Sequence, residues 1–390
     1  METTMQEKML RYIDTHEAEL IELWKKIVLL ESPSRYKAGV DAVGQVLADY
    51  CTEKLGYHIR YQQDEVYGNC LAACSVPFEE YTGGIILSAH MDTVHEVGSF
   101  EPVLSQDEEF LYGPGVGDCK AGIIMSLMVA GALKEIGYTK RPIKLIFAAD
   151  EESGGPTGWT FYPNELAGSD YMFNAESGLR GKLVTGRKSS LIAVYDIQGQ
   201  AAHIGYITGR PKSAIREAAL KLLALEDASD YDMLTFCGGV INGGTVATSA
   251  PARCQLQVNV RIKDDSVIDK AIGLLNKVAQ TTYVEGTSCT LEIRGNRVPM
   301  SERPANVWLC EQFSKASQSL GFGAYESTFV GGASDASYAS GMGIPVVCAS
   351  GPIVDFQHTK NERSVTASMA ERAKVHVKTI VDLPDGPCPV

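Results

Sequence analysis

Apolar residues recur at helical spacing over residues 3–30 and again over 38–54, a pattern that predicts two amphipathic helices. Short unbroken apolar runs then alternate with helical stretches. Residues 84–89, 143–149 and 171–175 have the length and apolar content of buried strands, and 121–133 predicts a helix that starts just after Asp118. Towards the far end, 305–320 and 365–381 predict helices, with the strand-like 344–349 between them. Continuous apolar strands separated by helices imply an α/β fold, a mainly parallel sheet with helices on both faces.

From about Arg187 the rhythm changes. Residues 191–198 predict a strand, 211–225 a helix opened by Pro211, 236–242 and 254–263 two strands, 267–280 a helix and 289–294 a strand. Strand, helix, strand, strand, helix, strand is the ferredoxin-like order of a small α+β domain. The expected organisation is therefore one α/β domain in two parts, 1–186 and 297–390, with the domain 187–296 inserted into it.

Composition narrows the function classes. A chain of 390 residues can bury two cores, and its mixed charge and apolar content are those of a folded soluble protein. The net charge of -13 argues against a nucleic-acid partner. The amino-terminal residues, Met1-Glu-Thr-Thr-Met-Gln-Glu-Lys, carry no basic-then-apolar export pattern, and no apolar run is expected to be long enough to cross a bilayer. The ten cysteines show neither a CxxC pair nor regular spacing. Reduced thiols, a cytoplasmic location and no membrane association are the expectations.

Candidate chemistry collects where apolar runs end. Ser88-Ala-His-Met-Asp-Thr-Val94 places His90 and Asp92 at the tip of a predicted strand, where ligands of open α/β sheets bind. Asp92 could hold one ring nitrogen of His90 and leave the other for a metal. Gly113-Pro-Gly-Val-Gly-Asp118 invites a nucleotide reading, but a carboxylate stands where the phosphate motif requires glycine. Asp118 is either an N-cap for the next helix or a carboxylate aimed at the sheet edge. Three successive acids, Asp150, Glu151 and Glu152, follow another strand, Glu176 tips a third, and His358 follows a loop near the last helix. Each alone reads as a solvated turn or a core residue. Together on one sheet edge, with one carboxylate taken from each of three sites, they offer a ligand set of two imidazoles and three carboxylates. That set suits two divalent ions, zinc first, with manganese or cobalt as alternatives.

These motifs resemble those of one metallopeptidase family, that of glutamate carboxypeptidase, acetylornithine deacetylase, succinyl-diaminopimelate desuccinylase and the aminoacylases, and most of all its carboxypeptidase branch. The likeness runs from Ser-Ala-His90-Met-Asp92-Thr-Val, Gly-Pro-Gly-Val-Gly-Asp118-Cys-Lys-Ala-Gly, Ala-Asp-Glu151-Glu152-Ser-Gly-Gly and Asn-Ala-Glu176-Ser-Gly onward. It continues through Gly186-Arg-Lys188, Gly199-Gln-Ala-Ala-His203, Asn259-Val-Arg261 and Gly331-Gly-Ala-Ser-Asp-Ala336 to His358. The resemblance implies a bridging Asp118 next to a cis peptide to Cys119, with His90 and Glu176 completing one metal site and Glu152 and His358 the other. Asp92 would orient His90, and Glu151 would be the general base.

By the same resemblance the inserted domain is a lid and dimerisation domain, hinged near Arg187 and Asn296. His203 would polarise the scissile carbonyl, often from the partner of a homodimer, and Arg261 would grip the substrate's free α-carboxylate. Gly331 and Gly332 would let backbone amides approach that carboxylate. Gly244-Thr-Val-Ala-Thr248-Ser-Ala-Pro251 departs from the family, which often has asparagine where Thr248 stands. His95 reads as a loop residue lining the mouth, and Cys119 as a packed side chain. The implied activity is metal-assisted hydrolysis of a small peptide or N-acyl amino acid. An N-acyl amino acid deacylase and a non-catalytic, metal-holding binding protein are the alternatives.

Overall fold

The strand Gly84–His90 lies inside a six-stranded sheet with all seven of its residues buried. The computed structural model describes residues 4–386 and 388–390, so the first residue of the helix expected over 3–30 lies outside it. The strands run in the order His58–Gln62, Cys70–Cys74, Ile143–Ala148, Gly84–His90, Ser169–Asn174, Val346–Val347. From Ile143–Ala148 onward the neighbours pair in parallel, and the first two strands add antiparallel at one side. The sequence pattern predicts neither of those two strands. His58–Gln62 is largely exposed and polar, and Cys70–Cys74 is a short buried apolar run without the β-branched or aromatic residues that mark a strand.

Parallel register makes the carboxyl ends of the central strands neighbours. His90 pairs with Ala148, and Ser88 with Asn174. The residues that follow, Asp92, Glu151, Glu152 and Glu176, therefore emerge on one edge.

Helices cover the sheet. In Met5–Leu29 the Thr4 hydroxyl accepts the Glu7 N–H at 3.2 Å while the Glu7 carboxylate accepts the Thr4 N–H at 2.8 Å, a reciprocal cap. The buried stripe of that helix, including Ile13, Leu20, Trp24 and Ile27, packs on Gly122–Glu135. Gly122–Glu135 is apolar on every side and also contacts Ala367–Asp382. The expectation that no apolar run could cross a bilayer needs correction here. Val116–Glu135 is long and apolar enough by length and composition, but its most apolar 18-residue stretch is buried throughout. It is the centre of the core, and non-helical dihedrals at Asp118 and Cys119 interrupt it.

A smaller antiparallel sheet joins Val354–Asp355, Arg363–Val365, Phe110–Tyr112 and Ser105–Gln106. The connection between its first two strands carries His358.

Contacts divide the chain into two units. The first comprises residues 1–186, 302–330 and 334–390, and the second Arg187–Ser301 with Gly331–Ala333. The second unit has an antiparallel sheet in the order Leu234–Gly243, Arg253–Ile262, Ser190–Gln198, Ser288–Arg297. Alternate residues of Arg253–Ile262 (Cys254, Leu256, Val258, Val260 and Ile262) are buried in a core shared with the helices Ala214–Glu226 and Ile268–Gln280.

Candidate metal centre

The strand end fixes His90 first. Its Nδ1 lies 3.0 Å from the Asp92 carbonyl oxygen and 3.2 Å from Asp92 Oδ1, while Nε2 faces Asp118 Oδ1 at 3.3 Å. A ring that donates through Nδ1 offers Nε2 as a lone pair.

Asp92 does more than hold one ring. Its carboxylate also accepts the Ser34 hydroxyl at 2.6 Å and the backbone N–H groups of Glu151 at 3.1 Å and Glu152 at 3.0 Å. One fully buried carboxylate thus ties the His90 strand end to the turn that carries the two glutamates.

Asp118 stands between two imidazoles. The Asp118–Cys119 peptide is cis, and Asp118 Oδ2 lies 3.2 Å from His358 Nε2, on the side away from His90. The helix that follows has Ala121 at its N-cap position with no side-chain cap, so the carboxylate of Asp118 is not spent on capping. Glu152 Oε1 is 3.1 Å from His358 Nε2, and Glu176 Oε2 is 3.9 Å from His90 Nε2. His358 reaches the group from a loop in which Phe356 and His358 both have φ near 60°, an uncommon conformation outside glycine.

Electrostatics follow from this crowding. Burial alone would raise Asp118, yet the hydrogen bonds from His358 and His90 hold it well below the usual carboxylate range. Asp118 and Glu152 lift His358 to about 11. Burial is the main cause that keeps Glu152 above its ordinary value. The Cys119 thiol is pushed far up by burial and by Glu176, and it donates to the Ala175 carbonyl at 3.1 Å, so it is a packed thiol and not a nucleophile.

The donor set fits divalent metal ions. His90, Asp118, Cys119 and Glu176 bring ligand atoms within 4.8 Å of one another, as do Asp118, Glu152 and His358, and as do His90, Glu151 and Glu152. Asp118 belongs to two of these groups, one oxygen turned to each imidazole. Ligand atoms about 2.0–2.2 Å from a shared ion stand roughly 3–3.6 Å apart, close to most of the separations seen here. Imidazole and carboxylate together suit zinc, manganese or cobalt.

Sequence reasoning missed the support beneath the loop. His95 is not a mouth residue but is buried, with Nε2 2.7 Å from Glu362 Oε2. Glu362 Oε1 accepts the N–H groups of Gly117 at 3.0 Å and Asp118 at 3.1 Å. Lys120 is buried nearby; burial lowers it to about 7, opposed by Glu362, Glu31 and Asp92. Nothing in Asn361-Glu362 distinguishes it from a surface turn.

The second unit carries the other candidates. His203 is exposed, and its Nδ1 accepts the Gly205 N–H at 3.1 Å, which puts the proton of a neutral ring on Nε2. Ala202–His203 pairs with Ser249–Ala250, and Ile204 N–H donates to the Thr248 carbonyl at 3.0 Å, so Thr248 and His203 are neighbours. Arg261 is half-buried, with Nε donating to Asn259 Oδ1 at 2.9 Å; among the described residues it has no carboxylate partner. A Cβ on Gly331 would meet nothing within 4 Å, and on Gly332 only Arg187 Nη1 at 3.7 Å. The fold itself does not demand glycine at either position.

Comparison with known proteins places this geometry. The family model described as peptidase family M20/M25/M40 matches residues 86–382. Carboxypeptidase G2 of Pseudomonas sp. (strain RS-16) is 26% identical over 381 residues, covering 94% of this chain and 90% of that protein. Acetylornithine deacetylase of Erwinia tasmaniensis is 28% identical over 224 residues, 50% of this chain and 54% of its own length. Among solved structures, aminopeptidase PepT from Bacillus cereus superimposes with a TM-score of 0.76 at 21% identity, covering 93% of this chain and 98% of that one.

Proposed function

The chain belongs to peptidase family M20/M25/M40, and on that premise we propose that it hydrolyses an amide bond next to an amino acid bearing a free α-carboxylate. The observation that carries the reading is Asp118, whose two oxygens face His90 and His358 from opposite sides, with Glu176 and Glu152 beside them.

Two divalent ions, zinc by the donor set, would be held by His90, Asp118 and Glu176 and by Asp118, Glu152 and His358. When bound they would supply the positive charge that makes water acidic and an amide carbonyl electrophilic. Glu151, anchored through its backbone to Asp92, would take the proton of the attacking water and pass it to the departing amine. His203, with its proton on Nε2, would donate to the carbonyl oxygen as charge develops there. Arg261, half-buried and without a carboxylate partner among the described residues, would fork onto the substrate carboxylate. Thr248 and the amides of Gly331 and Gly332 would complete that contact.

The likeness to carboxypeptidase G2 over nearly the whole chain supports a carboxypeptidase. The likeness to acetylornithine deacetylase supports the second reading, an N-acyl amino acid deacylase. Free thiols at all ten cysteines support a reducing compartment, the cytoplasm. The edge strand Leu234–Gly243, with Val240 and Ile241 half-exposed, supports a homodimer through the second unit, which acts as a lid.

The test is amine release from a panel of dipeptides, N-acyl amino acids and folyl-type glutamates by zinc-, manganese- and cobalt-loaded protein. Metal-dependent release that disappears in Glu151→Gln, with metal still bound, is expected, and the best substrate chooses between peptidase and deacylase. Full activity in Glu151→Gln would overturn the assignment of the base.

A further inference from the structure

The residues assigned above handle the reacting amide and the carboxylate on its amine side; none reads the acyl side. A groove of about 470 Å³ beside the metal centre is built for that task. Its walls include Arg35, Tyr36, Val94, Glu96, Val97 and the metal-facing Glu152. We propose that it receives the acyl part of the substrate and selects acyl groups ending in a carboxylate, with Arg35 as the specificity-determining residue. The inference rests on the hydrolase reading of the same centre.

Arg35 is held in place by the same frame as Glu151 and Glu152. It follows Ser34, whose hydroxyl donates to Asp92 Oδ2 at 2.6 Å and whose N–H donates to the Thr93 carbonyl at 3.3 Å. A turn closed by Tyr36 N–H to the Pro33 carbonyl at 2.7 Å then presents Arg35 and Tyr36 outward. Asp92 Oδ2 also accepts the Glu152 N–H, so two bonds to one oxygen connect the groove's cation to a metal ligand. Tyr36 is fixed from behind, where a Cβ on Gly39 would lie 2.6 Å from its ring.

Chemistry sets the ligand class. Tyr36, Val94 and Val97 are 48%, 40% and 55% exposed, apolar surface of the kind that covers an alkyl or aryl chain. Arg35 is exposed, and among the described residues no hydrogen bond or ion pair engages its guanidinium. A planar donor fork over an apolar groove recognises a carboxylate at the end of that chain. Glu96, the other exposed charge of the groove, opposes anion binding and so sharpens the test.

The test uses a matched pair, N-glutaryl-L-glutamate and N-pentanoyl-L-glutamate, which differ at the acyl terminus as carboxylate against methyl. Calorimetric binding to zinc-loaded Glu151→Gln protein should favour the glutaryl ligand by about tenfold or more, and adding Arg35→Gln should collapse the difference. Adding Glu96→Gln instead should tighten the glutaryl ligand. Equal binding of the pair, binding of neither, a preference that survives Arg35→Gln, or weakening by Glu96→Gln would overturn the proposal. Turnover of the same pair by protein with Glu151 intact separates the two readings. Arg35-dependent binding without amine release sinks the hydrolase and leaves the groove's selectivity; release without Arg35 dependence does the reverse.

Discussion

His95 Nε2 and Glu362 Oε2 stand 2.7 Å apart in the buried layer beneath the Asp118 loop. The other oxygen of Glu362 accepts the backbone N–H of Asp118, and His358 lies four residues before Glu362, so this carboxylate links the loops that present Asp118 and His358. Replacing Glu362 by Gln keeps one acceptor oxygen but loses the charge opposite His95; Glu362→Ala leaves buried donors unpaired. Partners of metal ligands are typically worth 10–100-fold in affinity or activity. The expectation is a roughly tenfold loss of zinc affinity in Glu362→Gln and a larger one in Glu362→Ala, read by competition with a chromogenic chelator. Zinc affinity equal to that of the parent in both variants would show that the link does not position the ligands.

Asp92 gathers four donors: the Ser34 hydroxyl, two backbone amides and His90 Nδ1. Asp92→Ala should reduce kcat at least a hundredfold, because both His90 and the Glu151 turn lose their anchor. Ser34→Ala removes one neutral-donor bond and should lower kcat by only a few-fold. Steady-state kinetics on the preferred substrate check both, and equal losses would contradict the hub role of Asp92.

The parts of this centre that could be read from sequence are those set by backbone periodicity. His90, Glu151, Glu152 and Glu176 each follow a buried apolar strand, and parallel pairing puts such strand ends on one edge. Asp118 could be read only as one of two alternatives, because an N-cap and a ligand share the same local sequence. The pairing of His95 with Glu362 spans 267 positions and has no periodic signature. The His58–Gln62 and Cys70–Cys74 strands were hidden for a related reason: one is exposed and polar, and the other is an apolar run of only five residues with no β-branched or aromatic side chain. Burial, not position in the chain, determined what His95 became.

Gly122 opens the central helix where it meets the strand end of Glu176. A Cβ there would lie 1.9 Å from the Ala175 carbonyl oxygen, a backbone atom that cannot step aside alone. Gly122→Ala should cost about 1–3 kcal/mol or more in stability and weaken metal binding as Ala175 and Glu176 shift. Gly273, within the helix Ile268–Gln280, is the matched control, because a methyl added there would meet nothing within 4 Å. Gly273→Ala should stabilise by up to about 1 kcal/mol. Denaturant melts of the two variants should move in opposite directions.

Metal removal should destabilise the first unit. Asp118, Glu152 and Glu176 crowd two imidazoles in a mostly buried site, and carboxylates so placed need positive charge. Dialysis against a chelator is expected to abolish amine release and lower Tm by several degrees, on the order of the linkage expected for a ligand that binds only the folded state. Zinc should restore both. An Asp118→Asn variant should show little change of Tm on adding zinc, and a zinc-induced rise equal to that of the parent would contradict a bridging role.

Acid should unfold the protein partly through His376, which is buried in the helix Ala367–Asp382. Burial lowers it to about 3; its Nδ1 donates to the Arg372 carbonyl at 2.8 Å, its Nε2 faces the Ser350 hydroxyl at 3.1 Å, and Phe173 and Phe313 pack against the ring. The folded state keeps this imidazole neutral, whereas the unfolded chain protonates it below about 6.5. Between about 6.5 and 3 the unfolded state therefore binds more protons, and stability falls as pH falls. The slope from this residue is about 1.4 kcal/mol per pH unit, and its contribution is fully present above 6.5. His376→Gln should be less stable at pH 7.5 because the packing is lost, yet show a shallower decline between pH 6.5 and 4. Parallel stability–pH curves for parent and variant, from urea melts, would assign the acid sensitivity to other groups.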